Sequence, residues 1–263
     1  MRRQELECTG HGGEPVPAVL YLPDSALDAA PDDRGDGGLP AVLLVHEVFG
    51  VDAHMSHLAE QLTAEGFACL LPDLWSRTGL PGPAPTPEEP APEWSGDTLR
   101  AAVNGLADRQ ALGDLEGALR ALGAHPEVDR ERLAAVGFCM GGNLAFQLAC
   151  TSREPLAAVV DYYGRVVYSE QSSAKPIQPL ELALNLGCPL LCHFGELDAS
   201  IPPEHVQQLE ERLTMFSREF EIVRHANAGH GFQNDTRSGY HAAAAGTAWA
   251  QTLAFLRVHT AAN

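Results

Sequence analysis

The sequence predicts an α/β protein in which a mainly parallel central sheet carries helices on both faces. Short apolar runs alternate with segments of helical periodicity along most of the 263 residues, and this alternation is typical of consecutive βα units. Residues 41–45 read Ala-Val-Leu-Leu-Val, a continuous apolar run of the kind expected for a strand covered on both faces. Because the length suits one large domain and we find no internal repeat, we expect a single domain over residues 1–263.

The remaining elements follow from periodicity and from turn residues. Apolar runs predict further strands at residues 16–22, 67–71, 133–138, 156–163, 189–194 and 219–225. Helical spacing predicts helices at residues 54–66, 97–123, 141–151, 203–216 and 240–259, the second of them interrupted near Gly113. Two stretches rich in turn-forming residues, 24–39 and 80–92, are predicted to be loops.

The charge balance excludes several classes of partner. Seventeen basic residues stand against 35 acidic ones, which gives a formal net charge of −18. A protein that binds nucleic acid needs a basic surface to displace counterions from phosphate, and anionic membranes repel an acidic chain. We therefore expect neither nucleic acid nor a membrane as a partner, and the charge also weighs against an anionic substrate.

The cysteines and the first residues of the chain favour the cytoplasm. Six cysteines are scattered without CxxC pairs or metal-ligand spacing, at positions Cys8, Cys69, Cys139, Cys150, Cys188 and Cys192. Most have apolar neighbours, as small core residues in a reducing compartment do. Residues 1–5 are not followed by the apolar segment of a secretory signal, and no apolar run reaches the length of about 20 residues that a membrane-spanning helix requires.

The strongest chemical signal is the turn at residues 137–141, which reads Gly-Phe-Cys-Met-Gly between a predicted strand and a predicted helix. This is the pattern of a nucleophile elbow with Cys139 in the serine position. Glycines two residues before and after the nucleophile let strand and helix pass closely. The start of the helix favours a thiolate, and the backbone N–H of Met140 would face a developing oxyanion. The alternative is a structural cysteine in a glycine-rich turn.

Two later loops supply partners for this thiol. Asp198 follows the predicted strand 189–194, and His230 follows the predicted strand 219–225. The order nucleophile, acid, histidine is that of the elbow fold, and the carboxyl ends of parallel strands are where such sheets bind ligands. We expect Asp198 to hold the ring of His230, whose other nitrogen faces the thiol. Glu196 is an alternative acid.

No cofactor or metal is implied by the motifs present. HExxH, P-loop and GxGxxG patterns are missing from the sequence. His54 and His57 share a helical face, but no acidic or thiol ligand is placed with them. We interpret both as ordinary helix residues.

Several motifs together resemble the dienelactone hydrolase family. They read LVHEVFGV, LPDL, GFCMGG, DYYG, GELD and GHGF, at residues 44–51, 71–74, 137–142, 161–164, 195–198 and 229–232. The resemblance covers roughly residues 40–235, and it implies the α/β-hydrolase fold. It also implies a hydrolase that cleaves a carboxylic ester or lactone through a thioacyl-enzyme on Cys139.

The resemblance assigns further roles by position. The residue matching Glu47 holds the resting thiol and is displaced when substrate binds, so that the ion pair between Cys139 and His230 can form. The residue matching Val48 provides the second oxyanion N–H, and the residue matching Tyr163 lies near the pocket. We also predict that Phe232 and Asn234, which follow the histidine, contact the substrate.

One departure from the family concerns the substrate, a small ester or lactone. Family members that hydrolyse dienelactone bind its carboxylate with arginines, one of them shortly after the histidine, whereas here no arginine occurs between His230 and Arg237. Arg77 and Arg100 are available elsewhere without a clear match. A thioesterase or peptidase using the same residues and a non-catalytic ligand-binding protein remain alternatives. We expect a monomer or a small homo-oligomer.

Overall fold

An eight-stranded sheet runs through the computed structural model, which describes residues 1–24, 38–78, 88 and 94–262. Its strands, in chain order, are Arg2–Thr9 (β1), Pro15–Leu22 (β2), Leu39–Val45 (β3), Ala68–Pro72 (β4), Val128–Phe138 (β5), Ala158–Tyr162 (β6), Leu190–Gly195 (β7) and Phe220–His225 (β8). The spatial order is β1-β2-β4-β3-β5-β6-β7-β8. All neighbours from β4 to β8 pair in parallel, while β2 pairs antiparallel with β1 and β4. The predicted mainly parallel α/β sheet is confirmed.

Six α-helices follow or connect these strands in the described part of the chain. They are Ala53–Ala64 (α1), Gly96–Gly105 (α2), Asp108–Gly123 (α3), Met140–Thr151 (α4), Pro203–Met215 (α5) and Ala242–His259 (α6), and two short 3₁₀ segments occur at His11–Gly13 and Pro179–Asn185. Within the described ranges, no helix is long and apolar enough to cross a membrane.

The sequence pattern missed strand β1. Its residues Arg2 to Thr9 alternate between partly buried and exposed positions, and five of the eight are charged or amide residues. This strand forms the edge of the sheet, so only one neighbour pairs with it, and its polar composition hides the alternation on which strand prediction depends.

The predicted helix at residues 97–123 is two helices, and its predicted interruption near Gly113 is wrong. The break lies at Leu106 and Ala107, whose backbones are extended. Gly113 stays helical inside α3, where an added Cβ would lie 2.9 Å from the side chain of His11. The glycine therefore serves close packing and does not end the helix. Most residues of the two predicted loops, 24–39 and 80–92, lie outside the described ranges.

Parallel pairing brings the ends of five strands to one edge of the sheet. Val45 of β3 is aligned with Gly137 of β5, and Phe138 at the end of β5 is aligned with Tyr162. Gly195 of β7 is aligned with His225 of β8. Because the loops after these strands leave the sheet at the same edge, residues far apart in sequence meet there.

The packing of α3 against β1 predicts opposite effects for two alanine substitutions. A Cβ at Gly117 would overlap the carbonyl oxygen of Thr9, whereas a Cβ at Gly246 in α6 would meet no atom within 4 Å. We expect Gly117→Ala to lower the free energy of unfolding by about 1–3 kcal/mol through overpacking. We expect Gly246→Ala to raise it by about 0.5–1 kcal/mol through helix propensity. Urea denaturation measures the free energy of unfolding of both variants, and equal changes would contradict the close packing of Gly117 against Thr9.

Candidate active site

Cys139 lies in the tight turn between β5 and α4. Its backbone has φ 53° and ψ −112°, a conformation that costs energy in a residue with a side chain. An added Cβ at Gly137 would overlap the carbonyl oxygen of Gly141, and one at Gly141 would overlap the carbonyl oxygen of Val45. The two glycines are therefore required where the strand, the helix and β3 approach each other.

Three of the predicted residues form one hydrogen-bonded chain. His230 Nε2 lies 3.0 Å from Cys139 Sγ, and His230 Nδ1 lies 2.8 Å from Asp198 Oδ2. The other carboxylate oxygen of Asp198 accepts the backbone N–H groups of Ser200 and Ile201, at 2.7 and 3.2 Å. The carboxylate is thus fixed on both sides, while the alternative acid Glu196 is exposed.

The pKa of His230 differs from that of an ordinary histidine. Burial alone lowers the pKa of His230, but the negative charge of Cys139 and the hydrogen bond and charge of Asp198 outweigh it, so that the pKa is raised well above its ordinary value. The raised pKa favours an imidazolium at His230, which lies between Cys139 Sγ and the carboxylate of Asp198.

The other five thiols have pKa values that burial raises. Burial raises the pKa of Cys8 to about 11 and that of Cys188 to about 12. Burial also raises the pKa of Cys69, Cys150 and Cys192 well above that of an exposed thiol. All five remain neutral thiols at physiological pH, as expected for small core residues.

Glu47 is buried, and its carboxylate is bound by residues other than Cys139. Its carboxylate accepts hydrogen bonds from Tyr163 Oη at 3.0 Å and from Asn234 Nδ2 at 2.7 Å. The resemblance implied that a residue in this position holds the resting thiol. Here the thiol faces His230 instead, and the carboxylate is held by two neutral donors.

The two predicted oxyanion donors border the same cavity as Cys139 and His230. Met140 is the first residue of α4, so its N–H has no partner within the helix. Val48 lies in the loop after β3, and its carbonyl oxygen accepts the indole N–H of Trp75 at 3.0 Å.

The cavity has a volume of about 410 Å³ and a mixed lining. Helix α2 contributes apolar side chains to it, including Leu99 and Val103, and α4 contributes Leu144. Arg100, Arg165 and Lys175 also border the cavity. Lys175 is buried and neutralised by an ion pair with Asp108 at 2.8 Å, and Arg100 forms an exposed ion pair with Asp97 at 3.3 Å. Glu170 borders the cavity as well.

Sequence reasoning missed Arg165. It directly follows the motif at residues 161–164, just beyond the end of β6, and its position at the functional edge of the sheet is the signal that could have found it. Arg100, which has no clear match to an arginine of the family, borders the cavity. Arg77 instead pairs with the buried Asp114.

Phe232 and Asn234 do not lie where substrate contacts were predicted. Phe232 has no exposed surface and packs against the ring of Tyr163 at 5.2 Å. Asn234 is 1% exposed and donates to Glu47. Neither borders the cavity, because the chain after His230 turns into the core. Of the three residues predicted to contact substrate, Tyr163 alone lines it.

The histidines of α1 have protein partners. His54 Nδ1 lies 3.0 Å from the carboxylate of Asp235, and His57 lies 2.8 Å from Gln61. Among the described residues, no group of three or more His, Cys, Asp or Glu side chains could hold a metal ion.

Comparison with known proteins relates this site to one family. The model of the family described as "Dienelactone hydrolase family" matches residues 25–260. The chain is 32% identical over 255 residues to a Salmonella typhimurium protein named as a carboxymethylenebutenolidase, covering 90% of each chain. It is 32% identical over 224 residues to a Bradyrhizobium sp protein named as a 2-oxo-3-(5-oxofuran-2-ylidene)propanoate lactonase, covering 85% of each.

A solved structure has the same fold. The crystal structure of a protein named as a dienelactone hydrolase from Klebsiella pneumoniae subsp. pneumoniae superposes with a TM-score of 0.83 at 31% sequence identity. The match covers 97% of this chain and 98% of that one. The α/β-hydrolase fold expected from the sequence is therefore confirmed.

The environments of the six cysteines predict selective alkylation. At pH 7 we expect iodoacetamide to modify Cys139 at least about tenfold faster than the other five, because only Cys139 is paired with an imidazolium. His230→Gln should slow modification of Cys139 by about tenfold or more. Peptide mass spectrometry measures each site. Cys188→Ala, which changes a partly exposed thiol outside the cavity, should leave the rate at Cys139 unchanged, and a Cys188 that reacts as fast would contradict the pairing.

Proposed function

The chain belongs to the dienelactone hydrolase family of ester and lactone hydrolases, and we propose that Cys139 is the nucleophile with which it opens its substrate. The observation that carries the proposal is the continuous chain from Cys139 through His230 to Asp198, with distances of 3.0 and 2.8 Å. We also propose that residues 1–263 form a single domain.

Acylation starts from the thiolate–imidazolium pair. Cys139 Sγ forms a bond to the substrate carbonyl carbon, and the displaced electron pair moves to the carbonyl oxygen. The N–H groups of Met140 and Val48 donate to that oxyanion. The bond to the leaving oxygen then breaks as His230 Nε2 gives it a proton, which leaves a thioester on Cys139.

Deacylation reverses the proton transfers. The now neutral His230 takes a proton from water as the water oxygen attacks the thioester carbon. The second tetrahedral intermediate collapses, expels the Cys139 thiolate and releases the acid. His230 is then an imidazolium again, and Asp198 has held its ring in one orientation throughout.

Glu47 controls when the ion pair exists. In the position described, Tyr163 and Asn234 hold its carboxylate away from Cys139. We propose that this is the displaced position of the carboxylate, and that contact with the thiol would oppose thiolate formation because two negative charges repel. Asn234 then acts on Glu47, which replaces its predicted contact with substrate.

The cavity supports a substrate that carries a carboxylate. Arg100 and Arg165 border it, and both are exposed. Arg100 has an exposed contact with Asp97 at 3.3 Å. The charge of Lys175 is compensated by the buried Asp108, and Glu170 is the acidic residue on the same lining. Guanidinium groups bind carboxylates well, which offsets locally the acidic charge of the whole chain. One relative is named for a lactone of a propanoate, a compound of this class.

We propose the cellular location, oligomeric state and partners of the enzyme from its composition. Six free cysteines and a net charge of −18 favour a cytoplasmic enzyme that acts on small molecules. We propose a monomer or small homo-oligomer with neither nucleic acid nor membrane as a partner. A thioesterase or peptidase would use the same triad, and a panel of acyl-CoA and peptide substrates distinguishes these activities.

Hydrolysis of 4-nitrophenyl acetate tests the nucleophile. We expect Cys139→Ala to lower kcat/KM by about three orders of magnitude or more, because no thioester can form. Asp198→Asn should lower it by roughly 10²–10⁴-fold through loss of the correct histidine tautomer. Cys188→Ala is the matched control and should behave as wild type. Equal rates for wild type and Cys139→Ala would refute the assignment and favour a non-catalytic binding protein.

A charged and a neutral ester together test whether the cavity binds a substrate carboxylate. We expect a preference for a 4-nitrophenyl ester with a free carboxylate on its acyl chain over the neutral ester of equal length. Arg165→Ala and Arg100→Ala should each raise KM for the charged ester severalfold and leave the neutral ester unchanged. Arg130→Ala, which removes an exposed arginine paired with Glu154, is the control. No preference in wild type would exclude an anionic substrate.

A further inference from the structure

His46 is a fully buried histidine that the catalytic chain does not use. It follows β3 directly and precedes Glu47 and Val48 in the loop that borders the cavity. Its ring lies 6.0 Å from that of Trp75. Both nitrogens of the His46 ring have hydrogen-bond partners.

The hydrogen bonds of His46 define its tautomer. The backbone N–H of Leu74 lies 3.1 Å from Nε2, and because a backbone amide nitrogen can only donate, Nε2 must accept. Burial lowers the pKa of His46, so the ring is neutral and carries one proton. That proton is on Nδ1, which lies 2.6 Å from the carbonyl oxygen of Glu47 and donates to it.

Two donors hold the Glu47 carbonyl, His46 Nδ1 at 2.6 Å and the backbone N–H of Gly50 at 3.1 Å, and together they set the direction of another group. The Glu47 carbonyl and the Val48 N–H belong to one peptide unit, which is planar and trans, so the two groups point in opposite directions. Holding the carbonyl on the side of His46 therefore turns the Val48 N–H to the other side. The next carbonyl, that of Val48, is held by the indole of Trp75 at 3.0 Å.

The loop and the nucleophile turn are also in direct contact. A Cβ at Gly141 would lie 2.6 Å from the carbonyl oxygen of His46 and would overlap that of Val45. The end of β3 is thus packed against the turn that carries Cys139. Once the peptide after Glu47 is oriented, the separation of the Val48 and Met140 donors follows from this packing.

We propose that His46 is a positioning residue, which orients the Val48 N–H toward the oxyanion through its hydrogen bond to the Glu47 carbonyl. The inference rests on the proposed function, in which Val48 and Met140 stabilise the tetrahedral intermediate. It adds that a neutral Nδ1–H tautomer of a residue outside the catalytic chain, together with the N–H of Gly50, contributes to that stabilisation by holding the Glu47 carbonyl. Loss of one oxyanion donor costs about 10²–10³-fold in kcat, and misalignment of one should cost less.

Two amide substitutions separate the bonds of His46. In His46→Asn the side-chain amide takes the place of Nδ1 and can still donate to the Glu47 carbonyl. In His46→Gln the amide reaches the place of Nε2 and keeps only the contact with Leu74. Each variant therefore loses one of the two hydrogen bonds of the His46 ring, and only the glutamine leaves the Glu47 carbonyl to the N–H of Gly50 alone.

Two reactions of Cys139 provide the readout. Hydrolysis of 4-nitrophenyl acetate develops an oxyanion, whereas alkylation by iodoacetamide needs the thiolate but develops none. We expect His46→Gln to lower kcat by about 10–100-fold with KM and the alkylation rate close to wild type. We expect His46→Asn to retain most of kcat. Equal losses in the two variants, or an alkylation rate that falls with kcat, would overturn the proposal and indicate a purely structural role.

A measurement on wild type covers the case in which neither variant folds. Long-range ¹⁵N–¹H NMR of the imidazole should report His46 as the neutral Nδ1–H tautomer from pH 5 to pH 8. An Nε2–H tautomer or a charged ring would overturn the proposal. Failure of the proposed function is distinct from these results, because it would appear as hydrolysis by wild type that does not depend on Cys139.

Discussion

The close approach of three backbone segments at Cys139 is the constraint on which the rest of the site depends. Cys139 holds a positive φ because the end of β3, the end of β5 and the start of α4 meet with no room for a Cβ at Gly137 or Gly141. The N–H of Cys139 is bound by the carbonyl of Tyr162 at 2.9 Å, which ties the turn to β6 as well. A strained residue persists only where its surroundings determine it this fully.

Buried acids around this turn are stabilised by neutral donors. Asp198 is held by backbone N–H groups and Glu47 by a phenol and an amide. Asp161 accepts the N–H of Gly164 at 2.7 Å, and burial raises its pKa to about 7. Asp198 also contacts the ring of His230, whose Nδ1 lies 2.8 Å from the other carboxylate oxygen of this aspartate. This arrangement supports the proposed ion pair between His230 and Cys139.

The loop after β3 carries two proposed tasks in adjacent residues. The side chain of Glu47 is held by Tyr163 and Asn234, its backbone carbonyl accepts from His46, and Val48 borders the cavity. In the proposed mechanism Glu47 controls the thiolate and the Val48 N–H stabilises the oxyanion, so the two tasks meet at one peptide unit. A change that rotates this peptide would then redirect the Val48 N–H.

The sequence by itself determined the α/β class, the turn at Cys139 and the order of Asp198 and His230, because these depend on local periodicity and on the fixed edge at which parallel strands end. It did not reveal β1, whose edge position suits a polar composition, or the packing role of Gly113. Only the tertiary structure decided which side chains border the cavity. It brought Arg165 to the border of the cavity, turned Phe232 into the core and placed Asn234 on Glu47, 187 positions away, because such contacts join residues far apart in sequence. No local pattern encodes the direction of a loop after it leaves its strand.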